Sequence, residues 1–246
     1  METLVGDTNT QTRKTSDPNS YQPVSLISCV SKVMEKMVAG RLYWLLEKEH
    51  KFKKYQCGFR KGRATEDLLL KVEHTVRASL VNRQVTIAIF FYLKQAFDNV
   101  NHNLLLFKLA KSGIKGRMLC WIDQFLRNRS FQYMVDNSKS DSKEVKRGLP
   151  QGSILSPTLF NVMMYDLPQL VNVDVIDFAD DIAFTVTAKT IEEATNLAEN
   201  TVRSLENWSR RWQLALNPLK SKAMCFTKQK VLDRLPTFLI EDSPIE

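Results

Sequence analysis

Asp180 and Asp181 stand side by side in the stretch VDVIDFADDIA. Adjacent carboxylates on a rigid turn suit a hard divalent cation such as Mg²⁺, which takes oxygen ligands. In phosphoryl-transfer sites two such ions, about 3.5–4 Å apart, clamp the attacking and leaving oxygens. The pair also has a plainer reading, because Asp is favoured at turns where it caps its own backbone. Upstream, Arg147–Pro157 (RGLPQGSILSP) carries Gly148 and Gly152, which allow a ligand close to the backbone, and Gln151, whose amide both donates and accepts. Lys51–Arg63 (KFKKYQCGFRKGR) interleaves Lys and Arg with Phe52, Tyr55 and Phe59. Such a stretch grips a phosphate backbone and stacks on bases, or else is a solvated charged loop.

Composition narrows the field around these residues. The chain of 246 residues has 43% hydrophobic and 25% charged residues, ordinary values for a globular protein with a sizeable core. A net charge of +8 and a pI near 9.3 favour a polyanionic partner, nucleic acid first. Cys29, Cys57, Cys120 and Cys225 are far apart with no CxxC, so they read as buried thiols of a reducing compartment and not as a zinc site. His50, His74 and His102 are isolated, which argues against a histidine relay. No apolar run is long enough to span a membrane and no signal peptide opens the chain. An intracellular protein is expected, nuclear or cytoplasmic.

The elements that must position the candidate residues follow from periodicity. VDVIDF and IAFTVT read as two strands joined at Ala179-Asp180-Asp181, with alternation turning one Asp to a cleft and the other away. Val85–Phe91 (VTIAIFF) is a strand buried on both faces. Residues 29–49 have helical spacing of Val30, Val33, Met34, Met37, Val38, Leu42 and Leu45. Thr65–Leu80 is a second amphipathic helix with Thr65 as N-cap, and residues 103–128 hold two helices split at Ser112-Gly113. Phe131–Val135 and Glu144–Lys146 could pair across a polar loop. Ser156-Pro157 opens a helix whose Leu159, Phe160, Met163, Met164 and Leu167 face a core. Ile191–Trp212 is a long helix laid on a sheet through Ala194, Leu197, Ala198, Val202, Leu205, Trp208 and Trp212, and Ala223–Thr227 is a last strand. The first residues read as a loose polar tail, and residues 228–246 show no clear terminal element.

In this order, YQPVSLIS, QCGFRKGRATEDLL, FFYLKQAFDNVNH, RGLPQGSILSPTLFNVMMYDLP, DFADD and LNPLKSKAM resemble a reverse transcriptase domain of the non-LTR (LINE-like, jockey-type) retrotransposon kind. The resemblance implies an α+β right-hand polymerase: a palm of antiparallel sheet backed by helices, with fingers, and with the thumb largely missing. Its implied organisation is a tail over 1–15, a reverse transcriptase domain over 16–228 and a truncated C-terminal extension over 229–246. Fingers would occupy about 16–84 and 103–147, and palm about 85–102 and 148–228. The implied reaction adds deoxynucleotides from deoxynucleoside triphosphates to a DNA primer 3′ end on an RNA template, with two Mg²⁺ ions. Asp180 and Asp181 would hold metal, and Lys220 would donate a proton or charge to the leaving pyrophosphate. Gln151 and Gly152 would support the nucleotide, with Phe97 as a steric gate against a ribose 2′-hydroxyl. Arg60, Arg63 and Phe178 would contact template and primer.

Two positions depart from the family pattern. Where F-x-D-L-x-x-A-F-D has its first Asp, this chain has Tyr92, a phenol that supplies no anionic oxygen at neutral pH. Where Y-R-P-I has Arg, it has Gln22, which cannot replace a charged bidentate donor. The expectation is a folded domain with crippled polymerase activity. The alternative is a non-catalytic nucleic-acid-binding module derived from the same source. Oligomeric state is not legible.

Overall fold

Val85–Tyr92 is apolar or β-branched at nearly every position, and it forms the central strand of a four-stranded antiparallel sheet. The computed structural model describes residues 2–5, 24–52, 56–135, 138–167, 173–229 and 237–245. Their strands are β1 (Glu2–Val5), β2 (Val24–Leu26), β3 (Val85–Tyr92), β4 (Ser130–Val135), β5 (Ser138–Lys139), β6 (Lys143–Glu144), β7 (Asp174–Phe178), β8 (Asp181–Ala188), β9 (Lys222–Phe226), β10 (Phe238–Ile240) and β11 (Ser243–Ile245). The helices are α1 (Cys29–Lys48), α2 (Thr65–Val81), α3 (His102–Lys111), α4 (Gly116–Leu126), α5 (Ser156–Met164) and α6 (Ile191–Trp212). They fall into two units, Met1–Glu49 with Phe97–Val162, and His50–Ala96 with Met163–Glu246.

The second unit is built on the sheet β7-β8-β3-β9. β3 pairs with β8 from Val85↔Ala188 to Tyr92↔Asp181, and with β9 from Thr86↔Phe226 to Phe90↔Lys222. Buried Thr86 satisfies its hydroxyl on Thr187 directly across the ladder, at 2.9 Å. Phe91 and Phe184 meet edge to face with ring centroids 5.3 Å apart. Helices α2 and α6 both lie against this sheet. Thr190 caps α6 by accepting from Glu193 N, Glu192 and Glu193 occupy its positive end, and Arg210 and Arg211 its negative end. Its buried side is Ala194, Ala198, Val202, Leu205, Trp208 and Trp212; Leu197, expected on that side, is exposed. Trp208 Nε1 donates to Asp166 Oδ1 at 2.8 Å, so that indole is structural.

In the first unit, β4 pairs with β6 as expected from the sequence, through Ser130↔Glu144 and Phe131↔Lys143. Helices α3 and α4 are split at Ser112 as expected. Several expectations are corrected. Residues 2–5 are not a loose tail: β1 runs parallel to β4 and antiparallel to β2. A four-residue strand is too short for its period to be read, and long-range pairing defines it. Likewise Phe238–Ile240 and Ser243–Ile245 form a terminal hairpin whose turn residues Glu241 and Asp242 have φ of 48° and 62°. The face of α1 is rotated from the expected one: Val30 is 77% exposed, while Glu35, Ala39, Leu42 and Leu46 are buried. Glu35 is drawn inwards because its Oε2 accepts from Ser153 Oγ at 2.5 Å and Ile154 N at 2.8 Å. Helix α2 is capped at Ala64, not Thr65, with Ala64 N donating to Asp67 Oδ2. Ahead of α5 the capping hydroxyl is that of Ser153, which accepts from Leu155 N and Ser156 N.

Two contacts fix the β7–β8 hairpin. The segment Gln56–Gly58 docks on β7: Gln56 bridges to Asp177, and Cys57 N donates to Asp177 O at 2.9 Å. A Cβ on Gly58 would lie 2.1 Å from Ala179 N, so this approach is open only to glycine. Alternation along β7 buries Val175 and Asp177 together. Burial raises the Asp177 carboxyl from 3.8 to about 7, against smaller opposing effects of its own backbone N–H and of Arg60.

Gly58→Ala should therefore displace the Ala179 turn and destabilise the second unit by about 1–3 kcal/mol, measured by urea unfolding. The Asp177 carboxyl has its folded value above its unfolded one, so the stability it contributes is full below about pH 4 and is lost as pH rises through about 7. Asp177→Asn should flatten the stability profile between those limits and be the more stable form above them. Parallel profiles for the two proteins would contradict this assignment.

Candidate active site

Phe178 and Asp181 are the last paired residues of the β7–β8 hairpin, so the turn is Ala179-Asp180. Ala179 has φ of 59°, the left-handed conformation that a two-residue hairpin turn needs. The expected three-residue tip is thus shortened, and Asp181 opens β8. Because Asp180 belongs to the turn, strand alternation does not send the two carboxylates to opposite sides. Both act on the same neighbour, Tyr92.

Tyr92 ends β3 directly opposite Asp181. Burial first, then the charge of Asp180, a hydrogen bond to the Asp180 side chain and the charge of Asp181, all raise the phenol above its ordinary value of 10.0. Tyr92 is therefore a neutral O–H that donates to Asp180. Burial and the nearby Asp180 likewise raise Asp181, while Lys220 opposes them. Lys220 Nζ lies 4.6 Å from the centre of the Tyr92 ring. The loop that carries Lys220 is pinned to Tyr92 from both ends: Asn217 N donates to Tyr92 O at 2.8 Å, and Tyr92 N donates to Ser221 Oγ at 3.3 Å. Ser221 Oγ in turn donates to Asn217 O at 2.8 Å. Asn217-Pro218 is a turn signal in the sequence, but nothing there marks Ser221 as the clamp.

Asp180, Asp181, Lys220 and Tyr92 are thus brought together in one unit. A cavity of about 310 Å³ adjoins them, lined by Thr65, Leu68, Phe90, Phe178, Asp181 and Lys220 among others. Phe178 is half-buried beside Cys57, Leu68 and Val72. Arg60 donates from Nη1 to Gln56 O at 3.1 Å and lies over the Phe52 ring, while Arg63 is exposed. Gln22, and Tyr55 of the basic stretch, lie outside the described residues.

Phe97, Gln151 and Gly152 belong to the other unit. Phe97 stacks on Phe160 with centroids 4.6 Å apart and planes 11° from parallel. Gln151 Nε2 donates to Asp98 Oδ1 at 3.0 Å, a pairing that sequence reading missed, and Ser25 N donates to Gln151 O at 2.7 Å. Gly152 is exposed with φ of 107°.

The donor set does not fit a pair of bridged divalent ions. Asp180 and Asp181 supply carboxylates, but the third position is a neutral phenol beside them. Among the described residues no group of three or more His, Cys, Asp and Glu side chains is placed to hold a metal. No described helix is long and apolar enough to cross a membrane.

Residues 12–239 match the family described as reverse transcriptase (RNA-dependent DNA polymerase). The RNA-directed DNA polymerase from mobile element jockey of Drosophila melanogaster is 31% identical over 222 residues, 87% of this chain and 24% of that protein. The probable RNA-directed DNA polymerase from transposon X-element of the same species is 29% identical over 234 residues, 93% of this chain and 25% of that protein. The chain spans about a quarter of the length of these relatives. Among solved structures, apo telomerase of Candida tropicalis truncated from its C-terminal domain superposes with a TM-score of 0.56 at 15% identity, over 78% of this chain and 40% of that one. Telomerase of Candida albicans in complex with a TWJ fragment of telomeric RNA gives 0.57 at 14% identity, over 90% and 41%. Those likenesses establish a right-hand polymerase fold. The family match over residues 12–239 places this chain in the reverse transcriptase family, and the jockey and X-element retrotransposon polymerases are among its relatives.

Proposed function

We propose that this chain is by descent an RNA-directed DNA polymerase domain, acting on an RNA template, a DNA primer and deoxynucleoside triphosphates inside the cell, and that its own DNA synthesis is crippled. The observation that carries the reading is the hydrogen bond from Tyr92 to Asp180. A bridging carboxylate at the end of β3 would complete an oxygen cage for Mg²⁺, which supplies charge stabilisation to the transferring phosphoryl group. Tyr92 instead contributes a neutral donor, which brings no anionic oxygen to the ion. The sheet β7-β8-β3-β9 with α6 serves as the palm. Lys220 lies where a leaving pyrophosphate would gather charge, and its ammonium rests on the Tyr92 ring. Phe97 and Gln151 serve the nucleotide, and Arg60 and Arg63 serve the template.

The retained basic character supports a second reading, a nucleic-acid-binding module without chemistry. Lys61 and Arg63 are exposed in the same unit as the altered site, and the net charge of the chain is +8. Binding by phosphate contacts needs no metal and falls steeply with salt.

Primer extension on an RNA template decides between activity and loss. Wild type should be lower than Tyr92→Asp by on the order of 10²–10³ in rate, the scale of a lost electrostatic stabiliser, with Tyr92→Asp/Gln22→Arg higher still. A wild-type rate equal to that of Tyr92→Asp sinks the crippled-site reading. Salt-dependent binding of primer–template without extension by any variant would make the binding module the better account.

A further inference from the structure

Asp98 lies six residues beyond Tyr92, so in the sequence it is the carboxylate nearest at hand to replace the one that Tyr92 lacks. Its side chain is engaged otherwise. Gln151 Nε2 donates to Asp98 Oδ1 at 3.0 Å. A carboxylate accepts and does not donate, so the amide must turn its NH₂ end to Asp98, which directs its oxygen end the other way.

The backbone holds the two residues in this relation. Leu149 N donates to Phe97 O and Gly148 N to Val100 O, both at 2.8 Å, which lays Gly148–Gln151 alongside Phe97–Val100. His102 Nε2 is 2.8 Å from Gly148 O, and Ser25 N donates to Gln151 O at 2.7 Å. Gly148 has φ of 93°, and a Cβ there would sit 2.7 Å from Asp98 O. A glycine at 148 is thus what lets the two segments close. From the far side, Glu35 holds Ser153 and Ile154. Phe97 and Gln151 are therefore placed by one pair of clamped segments, and Asp98 is the side chain that joins them.

We propose that Asp98 is a positioning residue for Gln151, fixing the rotamer and the sense of the amide with which Gln151 supports an incoming nucleotide. The proposal rests on the reading of Gln151 given above, and it withdraws Asp98 from any substitute role in metal binding. The two roles separate chemically. Asn at 98 keeps an oxygen acceptor in the same place but loses the charge, so it sustains a hydrogen bond and not an ion.

The test uses Asp98→Asn, Asp98→Ala and Gln151→Ala, each in the wild-type chain and in Tyr92→Asp/Gln22→Arg. In ¹⁵N–¹H spectra of the wild-type chain, the Gln151 side-chain amide signal, identified by its loss in Gln151→Ala, should stay near its place in Asp98→Asn. In Asp98→Ala it should move to the position of a solvated amide. In primer extension by the restored background, Asp98→Ala should raise KM for the deoxynucleoside triphosphate about tenfold with a smaller effect on kcat. Asp98→Asn should recover most of that loss, and Asp98→Ala added to Gln151→Ala should do no further harm. An amide signal unmoved by Asp98→Ala overturns the proposal. So does an Asp98→Asn variant as inactive as Asp98→Ala, which would mean that the carboxylate serves a metal. If the restored background extends no primer, the polymerase reading fails by itself, and the amide signal still decides the Asp98–Gln151 pair.

Discussion

The double pairing of β3 is the constraint on which the site depends. With β8 along one edge and β9 along the other, β3 cannot slip by a residue without turning its buried side chains to the opposite face. That fixed register sets Tyr92 across from Asp181 at the end of the strand. The hairpin turn then follows from β7–β8 pairing, and the Lys220 loop from its bonds to both backbone groups of Tyr92. The chemistry of the site is thus written at the last rung of a ladder whose other rungs are ordinary core.

The same geometry explains how a polymerase fold tolerates Tyr92. An Asp at that rung would place three carboxylates around one point, a arrangement that attracts cations and repels itself when none is bound. Tyr92 relieves that repulsion, satisfies Asp180 with a hydrogen bond, and offers its ring to the Lys220 ammonium. Active sites commonly trade stability for function, and substitution there can restore the first while removing the second. Around Tyr92 the sheet keeps its full ladder and its packing helices.

Glycine does corresponding work in each unit. Gly58 lets the basic segment approach the Ala179 turn, and Gly148 lets the loop ahead of Gln151 approach Asp98. In both places one segment meets the backbone of another at a distance that a Cβ would not allow. Buried Glu35 adds a polar anchor from α1 to the segment after Gln151. Charge is also placed sparingly: Asp177, on β7 ahead of the turn, is buried deeply enough to stay largely protonated below about pH 7.

The sequence by itself carried the family, the acidic hairpin, β3 and α6, because these rest on local periodicity and on residue types in a fixed order. It also carried the glycine-rich loop around Gln151. It misread the inward face of α1, since an apolar stripe specifies a helix but not which partner is available to cover it; Glu35 won that place through two hydrogen bonds from residues more than a hundred positions away. It passed over β1 and the β10–β11 hairpin, whose strands are too short to show a period. The hydrogen bond of Tyr92 to Asp180, the clamp of Ser221 and the pairing of Asp98 with Gln151 were decided by tertiary structure alone, because each joins groups that only the closed sheet or the clamped loop brings within bonding distance.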